Sequence, residues 1–468
     1  MDIRINQAFD EILAAYPKSE FEALTENLKT NLSKEKSLSD GGDFPLGLRP
    51  ALLPKALYLT IREASFYLTN AVRKAAKALI KEGLLANELF LTDPERRLVD
   101  VDPLYSGVFT TASWSVLVEK GKPVFTEFTP DVASEIALND ALARVYMDWR
   151  PMAKMLALYD VDYYPAAMRL FQEVLNLYEG YKQNKLITAT ERKPVILIAD
   201  WLEDRGATDA ERLAAYGKAQ GYDVPIADPR ALGVCGNGLY SGGQPIDAVW
   251  RIFPARDMLL RKNDCEDLLE AYNEHKVCMA ESVRAIYGEK RAILSVLADE
   301  RFERIFSKYE REAIQTFIPW TRRFEETFSR YKGKKVDLPE FVLENKDKLI
   351  LKSNDRYKEN GTYKGERMTD SEWSRTLETA LKDECTCWIV QERVKSVSEL
   401  FPVLHNGDLG FESYEIQILP YVIGDMADSF AVRLTKASNG NKDEKINHLP
   451  AVIVSGKQVA LQKQLSSN

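Results

Sequence analysis

Cysteine is scarce in this chain, with five residues in 468, and the odd number does not suit a disulfide framework. Such a count fits a reducing compartment. Cys385 and Cys387 form a C-x-C pair, but the sequence offers them no obvious metal-binding partners. We therefore interpret these thiols as structural groups rather than metal ligands.

Long apolar runs are also missing. No segment reaches the roughly 18 uninterrupted apolar residues that a bilayer span needs, and the first residues lack the apolar core of a signal peptide. Positive charge is nowhere concentrated, since 63 basic and 71 acidic residues give a net charge of -8. We expect a cytoplasmic protein that binds neither nucleic acid nor membrane.

The remaining composition is that of an ordinary globular protein, 45% hydrophobic and 29% charged. A chain of this length predicts two to four compact units, because single cores stop growing at roughly 250 to 300 residues. No internal repeat or low-complexity tract stands out. The first 33 residues and the stretch 56–84 show helical periodicity.

An α/β pattern begins near residue 194. The run 194–200 is almost continuously apolar, as in a strand buried on both faces of a parallel sheet, and a helix over 209–220 and a strand over 223–228 complete a βαβ unit. A further strand, 247–253, carries Arg251 toward its carboxyl end. Ligands bind at such ends, so Arg251 is a candidate for binding a carboxylate or phosphate; the alternative is a surface ion pair with Asp257.

The stretch 348–394 predicts half of a nucleotide-binding cleft. An apolar strand carries Lys352, a glycine-bearing loop follows, a helix begins near Thr369, and a second apolar strand covers 388–394. Earlier in the chain, Gly288 precedes a predicted helix with Lys290 in its first turn. A lysine there opposes the helix dipole, and a bound anion would account for it; the alternative is an ordinary lysine at a helix start, with no ligand.

Short strands are predicted over 90–91, 107–111, 114–118 and 124–128, the last two forming a hairpin. This hairpin runs into a helix from about Ser134. Glu127 and Asp131 therefore lie near a strand-to-helix junction, where carboxylates often bind a divalent cation. Asp131 could instead stabilise the dipole of the helix.

Several short motifs follow one another in a characteristic order. They are Glu127 to Asp131, Trp250-Arg251, Glu289 to Leu294, Ile318 to Thr321, Leu351-Lys352, Gly361 with Gly365, Trp373, and Val390-Gln391-Glu392. In this order they resemble the circularly permuted ATP-grasp family, the group around glutathionylspermidine synthetase. The resemblance covers most of residues 50–440.

The resemblance implies a mixed α+β and α/β chain: a circularly permuted ATP-grasp fold with an inserted Rossmann-like pre-ATP-grasp domain and a helical N-terminal region. The implied divisions are 1–88 for the helical region, 89–190 for the half with the metal site, 191–285 for the Rossmann-like substrate domain, and 286–468 for the half with the nucleotide lysines. The oligomeric state stays open.

The resemblance also implies an ATP-dependent carboxylate-amine ligase that forms an acyl phosphate and then an amide. Its partners would be a small carboxylate and an amine, with amino acid, peptide and polyamine all open, and its cofactors ATP and Mg²⁺. The implied nucleotide-binding residues are Lys290, Lys352, Gly361, Gly365, Gln391 and Glu392. The implied metal ligands are Glu127 and Asp131, and Arg251 and Arg433 would bind substrate carboxylate, phosphate or the acyl intermediate.

The sequence departs from the family at several of these positions. Thr129 replaces an asparagine that would bind Mg²⁺, Lys358 and Glu359 replace paired glycines in the phosphate loop, and an aspartate expected before Glu127 is missing. These departures support an alternative, a degenerate ATP-grasp protein that serves in binding or as a scaffold.

Overall fold

The structure is a computed structural model. It describes residues 3–35, 47–130, 135–187, 192–203, 209–355, 361–436 and 446–457. Asp131 and the loop positions Lys358 and Glu359 lie outside these residues. No helix among the described segments is both long and apolar enough to cross a bilayer.

The helices occupy mainly the first three quarters of the chain. They are α1 Ile3–Ala14, α2 Lys18–Glu35, α3 Lys55–Glu82, α4 Leu85–Leu89, α5 Asp93–Val99, α6 Ile136–Asp148, α7 Arg150–Leu158, α8 Ala167–Asn184, α9 Asp209–Ala219, α10 Asp257–Leu260, α11 Glu266–Asn273, α12 Ile286–Glu289, α13 Ala292–Leu297, α14 Lys308–Phe317, α15 Leu338–Glu344 and α16 Asp370–Leu381.

The strands are distributed along most of the chain. They are β1 Ala51–Pro54, β2 Thr111–Glu119, β3 Lys122–Pro130, β4 Tyr159–Asp162, β5 Ile196–Ala199, β6 Ile226–Ala227, β7 Leu232–Cys235, β8 Gly238–Ser241, β9 Gln244–Ile246, β10 Ala248–Arg251, β11 Cys278–Ala280, β12 Thr321–Arg323, β13 Phe328–Tyr331, β14 Lys334–Asp337, β15 Leu349–Ser353, β16 Thr362–Lys364, β17 Trp388–Glu392, β18 Ser398–His405, β19 Asp408–Ile423, β20 Met426–Lys436 and β21 Ile446–Gly456.

The largest sheet joins distant parts of the chain. Its strands follow the order β1-β21-β20-β19-β2-β3, with β18 added beside β19 and β4 beside β21. One face packs into the main core through side chains such as Trp114, Phe128, Ile418 and Val432. Because side chains alternate along a strand, Glu127 and Arg433 lie on the other face. Strands from the expected divisions 1–88, 89–190 and 286–468 thus share one sheet.

The predicted βαβ unit is present. Strands β11-β10-β5-β6 form a four-stranded sheet, and each pair in it is parallel. All four residues of β5 are buried, as the apolar run in the sequence predicted. Helix α9 connects β5 to β6, and its buried side chains pack on the α8 side of this sheet.

A third sheet, β12-β17-β15-β16, contains the two strands predicted to line a nucleotide cleft. Leu349, Leu351 and Val390 point to one face and pack around Trp373 of α16. Lys352 and Gln391 therefore point to the opposite face. This face is turned toward the large sheet, because Lys352 contacts Glu127 of β3 there.

Three local predictions were wrong. Phe90 ends helix α4 in a left-handed conformation instead of forming a strand, and β2 begins only at Thr111. Lys290 is not in the first turn of a helix: α12 ends at Glu289, and α13 begins at Ala292. Runs of two to five apolar residues suit a strand and a short helix equally well, so periodicity could not separate them.

The N-terminus of helix α6 is capped by a side chain from a distant segment. Its N-cap residue, Glu135, has a positive φ of 67° and makes no side-chain capping bond. Instead the buried carboxylate of Asp209 accepts hydrogen bonds from the backbone N–H groups of Leu138 at 2.8 Å and Ala137 at 3.2 Å. Burial outweighs these two bonds and raises the pKa of Asp209 from 3.8 to about 7.

This pKa predicts a pH dependence of stability. The folded chain keeps the Asp209 proton to a higher pH than the unfolded chain, so the free energy of unfolding should fall as the pH rises from about 4 to about 7. We expect D209N to show a shallower fall in urea unfolding measured across this range. The exposed Asp93, changed to Asn, is the control and should keep the wild-type slope. A wild-type slope in D209N would contradict the prediction.

Candidate functional site

Lys352 is the centre of a charged cluster between the third sheet and the large sheet. It is buried, with 5% of its surface exposed. Its Nζ donates to Oε1 of Gln391 at 2.9 Å, to Oε1 of Glu127 at 3.2 Å and to the carbonyl of Thr126 at 3.4 Å. The lysine of β15 and the carboxylate of β3, predicted separately, thus meet in one site.

Arg291 approaches the same carboxylate. Its Nε lies 3.4 Å from Oε1 of Glu127, and its Nη1 donates to the carbonyl of Ser353 at 3.0 Å. Its backbone N–H donates to the carbonyl of Asn354, which ties the start of α13 to the end of β15. Glu127 is therefore shared by a lysine and an arginine from two different segments.

Lys290 lies beside Arg291 in the chain and has its own carboxylates. Its Nζ is 2.6 Å from Oδ1 of Asp355 and 2.8 Å from Oε1 of Glu95. Burial opposes the charge of this ammonium more than any other single effect. The two carboxylates together outweigh it, so the pKa of Lys290 is raised above its ordinary value.

The cluster thus balances its charges internally. Three cations, Lys290, Arg291 and Lys352, face three carboxylates, Glu95, Glu127 and Asp355. Buried charges are tolerated when they are paired in this way. A ligand with several negative charges would therefore compete with carboxylates already bound to the cations.

The described residues do not fit a divalent cation. Magnesium is bound by oxygen ligands, usually including more than one carboxylate or phosphate. Glu127 has an ammonium and a guanidinium on the same oxygen, and no group of three or more His, Cys, Asp or Glu side chains suited to a metal occurs in the described segments. Asp131, the second predicted ligand, lies outside them, so its role stays a prediction.

Gln391 and Glu392 point in opposite directions. The Gln391 side chain joins Lys352, and its Nε2 donates to Oγ1 of Thr321 at 3.0 Å. Glu392 accepts a hydrogen bond from the Tyr331 hydroxyl at 2.9 Å, near Lys332 at 3.5 Å. Only the Gln391 side chain is brought to Lys352, because consecutive residues of a strand face opposite sides.

The two candidate glycines take part in local packing. The carbonyl of Gly361 accepts from the Ser353 N–H at 2.7 Å, where the chain enters β16. Gly365 is buried, and a Cβ built on it would lie 2.1 Å from the carbonyl oxygen of Lys346. Close backbone approach thus accounts for Gly365 without any ligand, while the phosphate role of both glycines stays a prediction.

Arg251 is enclosed by main-chain carbonyls. It is fully buried, and its guanidinium donates to the Glu281 carbonyl at 3.1 and 2.7 Å, to that of Ser282 at 3.4 Å, and to that of Phe253. The arrangement stabilises the turn after β10. An anion could reach Arg251 only if these bonds were broken, so this placement favours a structural role.

Arg433 belongs to a polar row across β19, β20 and β21. Its Nε donates to Nε2 of His448 at 3.0 Å, and its Nη1 donates to Oε1 of Gln417 at 3.4 Å. Nδ1 of His448 lies 2.6 Å from Oε2 of Glu135. Since Nε2 accepts, we assign the imidazole proton to Nδ1. No described carboxylate pairs with Arg433 directly, and its face of the large sheet is the one that carries Glu127.

Several residues of the site escaped the sequence analysis. Arg291 could have been suspected, because it follows Lys290 immediately. Nothing local indicated the others, which come from distant segments. They are Glu95, Asp355, Gln417, His448 and Glu135, whereas Thr321 belongs to the Ile318 to Thr321 motif but was given no role.

A scan against models of protein families finds no match for this chain, and neither does a search of curated protein sequences. Among solved structures, the chain is similar to a glutathione synthetase-like effector from Globodera pallida in its apo form, with a TM-score of 0.59 and 12% identity over 94% of each chain. The chain therefore has the mixed α+β fold of that synthetase-like protein. The likeness is consistent with the ATP-grasp-related fold expected from the sequence, while the circular permutation stays a prediction.

Two further structures are matched more weakly. One is a proposed gamma-glutamylcysteine synthetase from Methylobacillus flagellatus KT, with a TM-score of 0.44 and 10% identity over 88% of this chain and 90% of that one. The other is D-alanyl-alanine synthetase A from Vibrio cholerae O1, with a TM-score of 0.26 and 15% identity over 56% and 74%. Such low TM-scores carry no weight for the fold or the function.

The packing of Gly365 predicts the effect of a methyl group there. G365A should destabilise the chain by about 2 kcal/mol or more, because the Cβ would overlap the backbone of Lys346. Unfolding in urea measures the loss. Gly233 is the control, since a Cβ on it meets nothing within 4 Å, and G233A should change stability little. Equal stability of the two variants would contradict the packing argument.

Proposed function

We propose that this protein is an ATP-dependent carboxylate-amine ligase whose nucleotide phosphates bind at Lys290, Arg291 and Lys352. The convergence of these three cations between the two sheets is the observation that carries the proposal. The likeness of the whole chain to a synthetase-like fold supports it.

Phosphate oxygens would take the places that carboxylates hold in the free chain. The guanidinium of Arg291 offers a planar fork for two oxygens, and the ammonium groups of Lys290 and Lys352 act as point charges. Because Lys352 is buried, its charge would act on a phosphate with little screening by water. Gln391, beside Lys352 on β17, and the main chain at the next residue, Glu392, are the groups proposed to meet the purine, since the Glu392 side chain points away from Lys352.

The chemistry proposed for this site has two steps. A carboxylate oxygen of one substrate attacks the γ-phosphorus, and ADP leaves. The amine nitrogen of the second substrate then attacks the acyl carbon, inorganic phosphate leaves, and the nitrogen loses a proton. Lys290, Lys352 and Arg291 would neutralise the charge on the transferring phosphoryl group.

Arg433 is proposed to hold the substrate carboxylate or the acyl phosphate. It lies on the Glu127 face of the large sheet and has neutral partners, His448 and Gln417, instead of a direct carboxylate. Its charge is therefore more available to a ligand than that of Arg251, which main-chain carbonyls surround. Amino acids, peptides and polyamines all remain candidate substrates.

A second candidate is nucleotide binding without ligation. The observation that favours it is the contact of Glu127 with both Lys352 and Arg291. A carboxylate held by two cations is a poor ligand for Mg²⁺, and phosphoryl transfer in this class of fold would need the charge that the metal supplies.

Binding of ATP is tested first. Mg·ATP at about 100 times its dissociation constant should stabilise the folded chain by about 2.7 kcal/mol, measured by thermal unfolding. K352A should remove this shift, because it deletes a buried phosphate-binding charge. Lys348, exposed just before the same strand, is the matched control, and K348A should keep the shift. If K352A keeps the shift as well, the phosphate site lies elsewhere.

Turnover separates the two candidates. A ligase should release ADP and phosphate only when a carboxylate and an amine are both supplied, which a panel of amino acids and polyamines can reveal. Stabilisation by ATP, with no release of phosphate across the panel, would favour binding without ligation.

Glu127 provides a test of the metal question. E127Q removes the anion that competes with phosphate for Lys352 and Arg291. In the presence of a chelator, ATP should therefore bind E127Q about fivefold more tightly than the wild type. This change corresponds to about 1 kcal/mol, the contribution of one half-buried ion pair. Isothermal titration calorimetry measures the change. Weaker binding in E127Q, seen only with Mg²⁺ present, would show instead that Glu127 is a metal ligand.

A further inference from the structure

A second cleft lies beside the free edge of β12, outside the Lys352 cluster. Its volume is about 680 Å³, in the range of cavities that hold small-molecule ligands. Its walls are β12, the β13–β14 hairpin, helix α13 and the segment 299–301. None of the residues that line this cleft belongs to the cluster of Lys290, Arg291 and Lys352 with their carboxylates.

The acidic residues of this cleft are already paired. Arg301 holds Glu88 through Nη1 and Nη2, each at 3.1 Å, and it also pairs with Asp299 at 2.7 Å. Arg323 holds Glu325, with Nε to Oε2 at 2.7 Å. Two arginines thus account for three of the four carboxylates in the lining.

The other cations have no comparable partner. Arg322 donates to Oγ of Ser329 at 3.0 Å and to the carbonyl of Thr321 at 2.8 Å, and it forms no ion pair with a carboxylate of the described residues. Arg330 lies 4.0 Å from Glu300, where both side chains are largely exposed. Lys335 stacks on the ring of Phe328 at 4.2 Å. Positive charge therefore exceeds negative charge at this cleft.

Arg322 is the side chain of this cleft whose charge and unused N–H donors are most available to a ligand. It is half-buried, and loss of hydration lowers the pKa of its guanidinium, an effect that Asp299 and Glu300 offset only in part. Two of its five N–H donors are used in the contacts above. The central carbon of its guanidinium lies 5.5 Å from the centre of the Trp320 ring. A charge that is partly removed from water and lacks a counter-ion favours binding an anion.

We propose that this cleft binds a small molecule through a phosphate or carboxylate group, with Arg322 as the main contact. Arg330 and Lys335 add positive charge at the rim. Phe328 and Leu338 offer apolar surface to the rest of the molecule. The proposal does not depend on ligase activity, because its residues belong to neither the Lys352 cluster nor the Arg433 row.

Calorimetric titration with pyrophosphate and with citrate, at matched ionic strength, tests this proposal. At least one of the two should bind the wild-type chain. R322Q should weaken that binding about tenfold or more, and K335Q, at an exposed position, should weaken it less. Tighter binding of pyrophosphate would assign the site to phosphates, and tighter binding of citrate would assign it to carboxylates.

Two controls make the outcome decisive. R375Q, on the exposed face of α16, should bind the anion as the wild type does. K348A, at an exposed lysine just before β15, should also retain the anion. Binding of neither anion, or wild-type affinity in both R322Q and K335Q, would overturn the proposal.

Discussion

The contact of Glu127 with Lys352 and Arg291 holds the central region of the protein together. It joins the large sheet, the third sheet and the connection between α12 and α13 at a single carboxylate oxygen. The three segments are far apart in the chain, and moving any one of them away would break an ion pair at Glu127. Because unpaired charges are costly away from water, this contact constrains the spacing of the two sheets.

The same contact opposes the binding of an anion, because it also stabilises the structure. Any polyanion that reaches Lys352 must displace a carboxylate that helps to define the cleft, so part of its binding energy would be spent on separating ion pairs. The Arg433 row is built differently, because its partners Gln417 and His448 are neutral. The positive charge of Arg433 is therefore more available to a ligand than the positive charge of Lys352.

Buried charges elsewhere have structural roles. Arg49 is fully buried and is held by Glu399 at 2.8 Å, with its guanidinium 3.9 Å from the centre of the Phe401 ring. Arg251 is likewise buried, but its partners are main-chain carbonyls after β10 and β11. Both show that a buried arginine can be held by contacts within the fold instead of facing a ligand.

Local patterns in the sequence predicted the strands that carry Lys352 and Gln391, and the apolar run of β5 predicted a parallel sheet. They placed Lys290 wrongly in the first turn of a helix. Only the tertiary structure decided which charges meet. Arg291 reaches Glu127, Asp355 reaches Lys290, and Arg251 turns inward, because strand and helix propensities act over a few residues, whereas these contacts join segments brought together by packing of the whole chain.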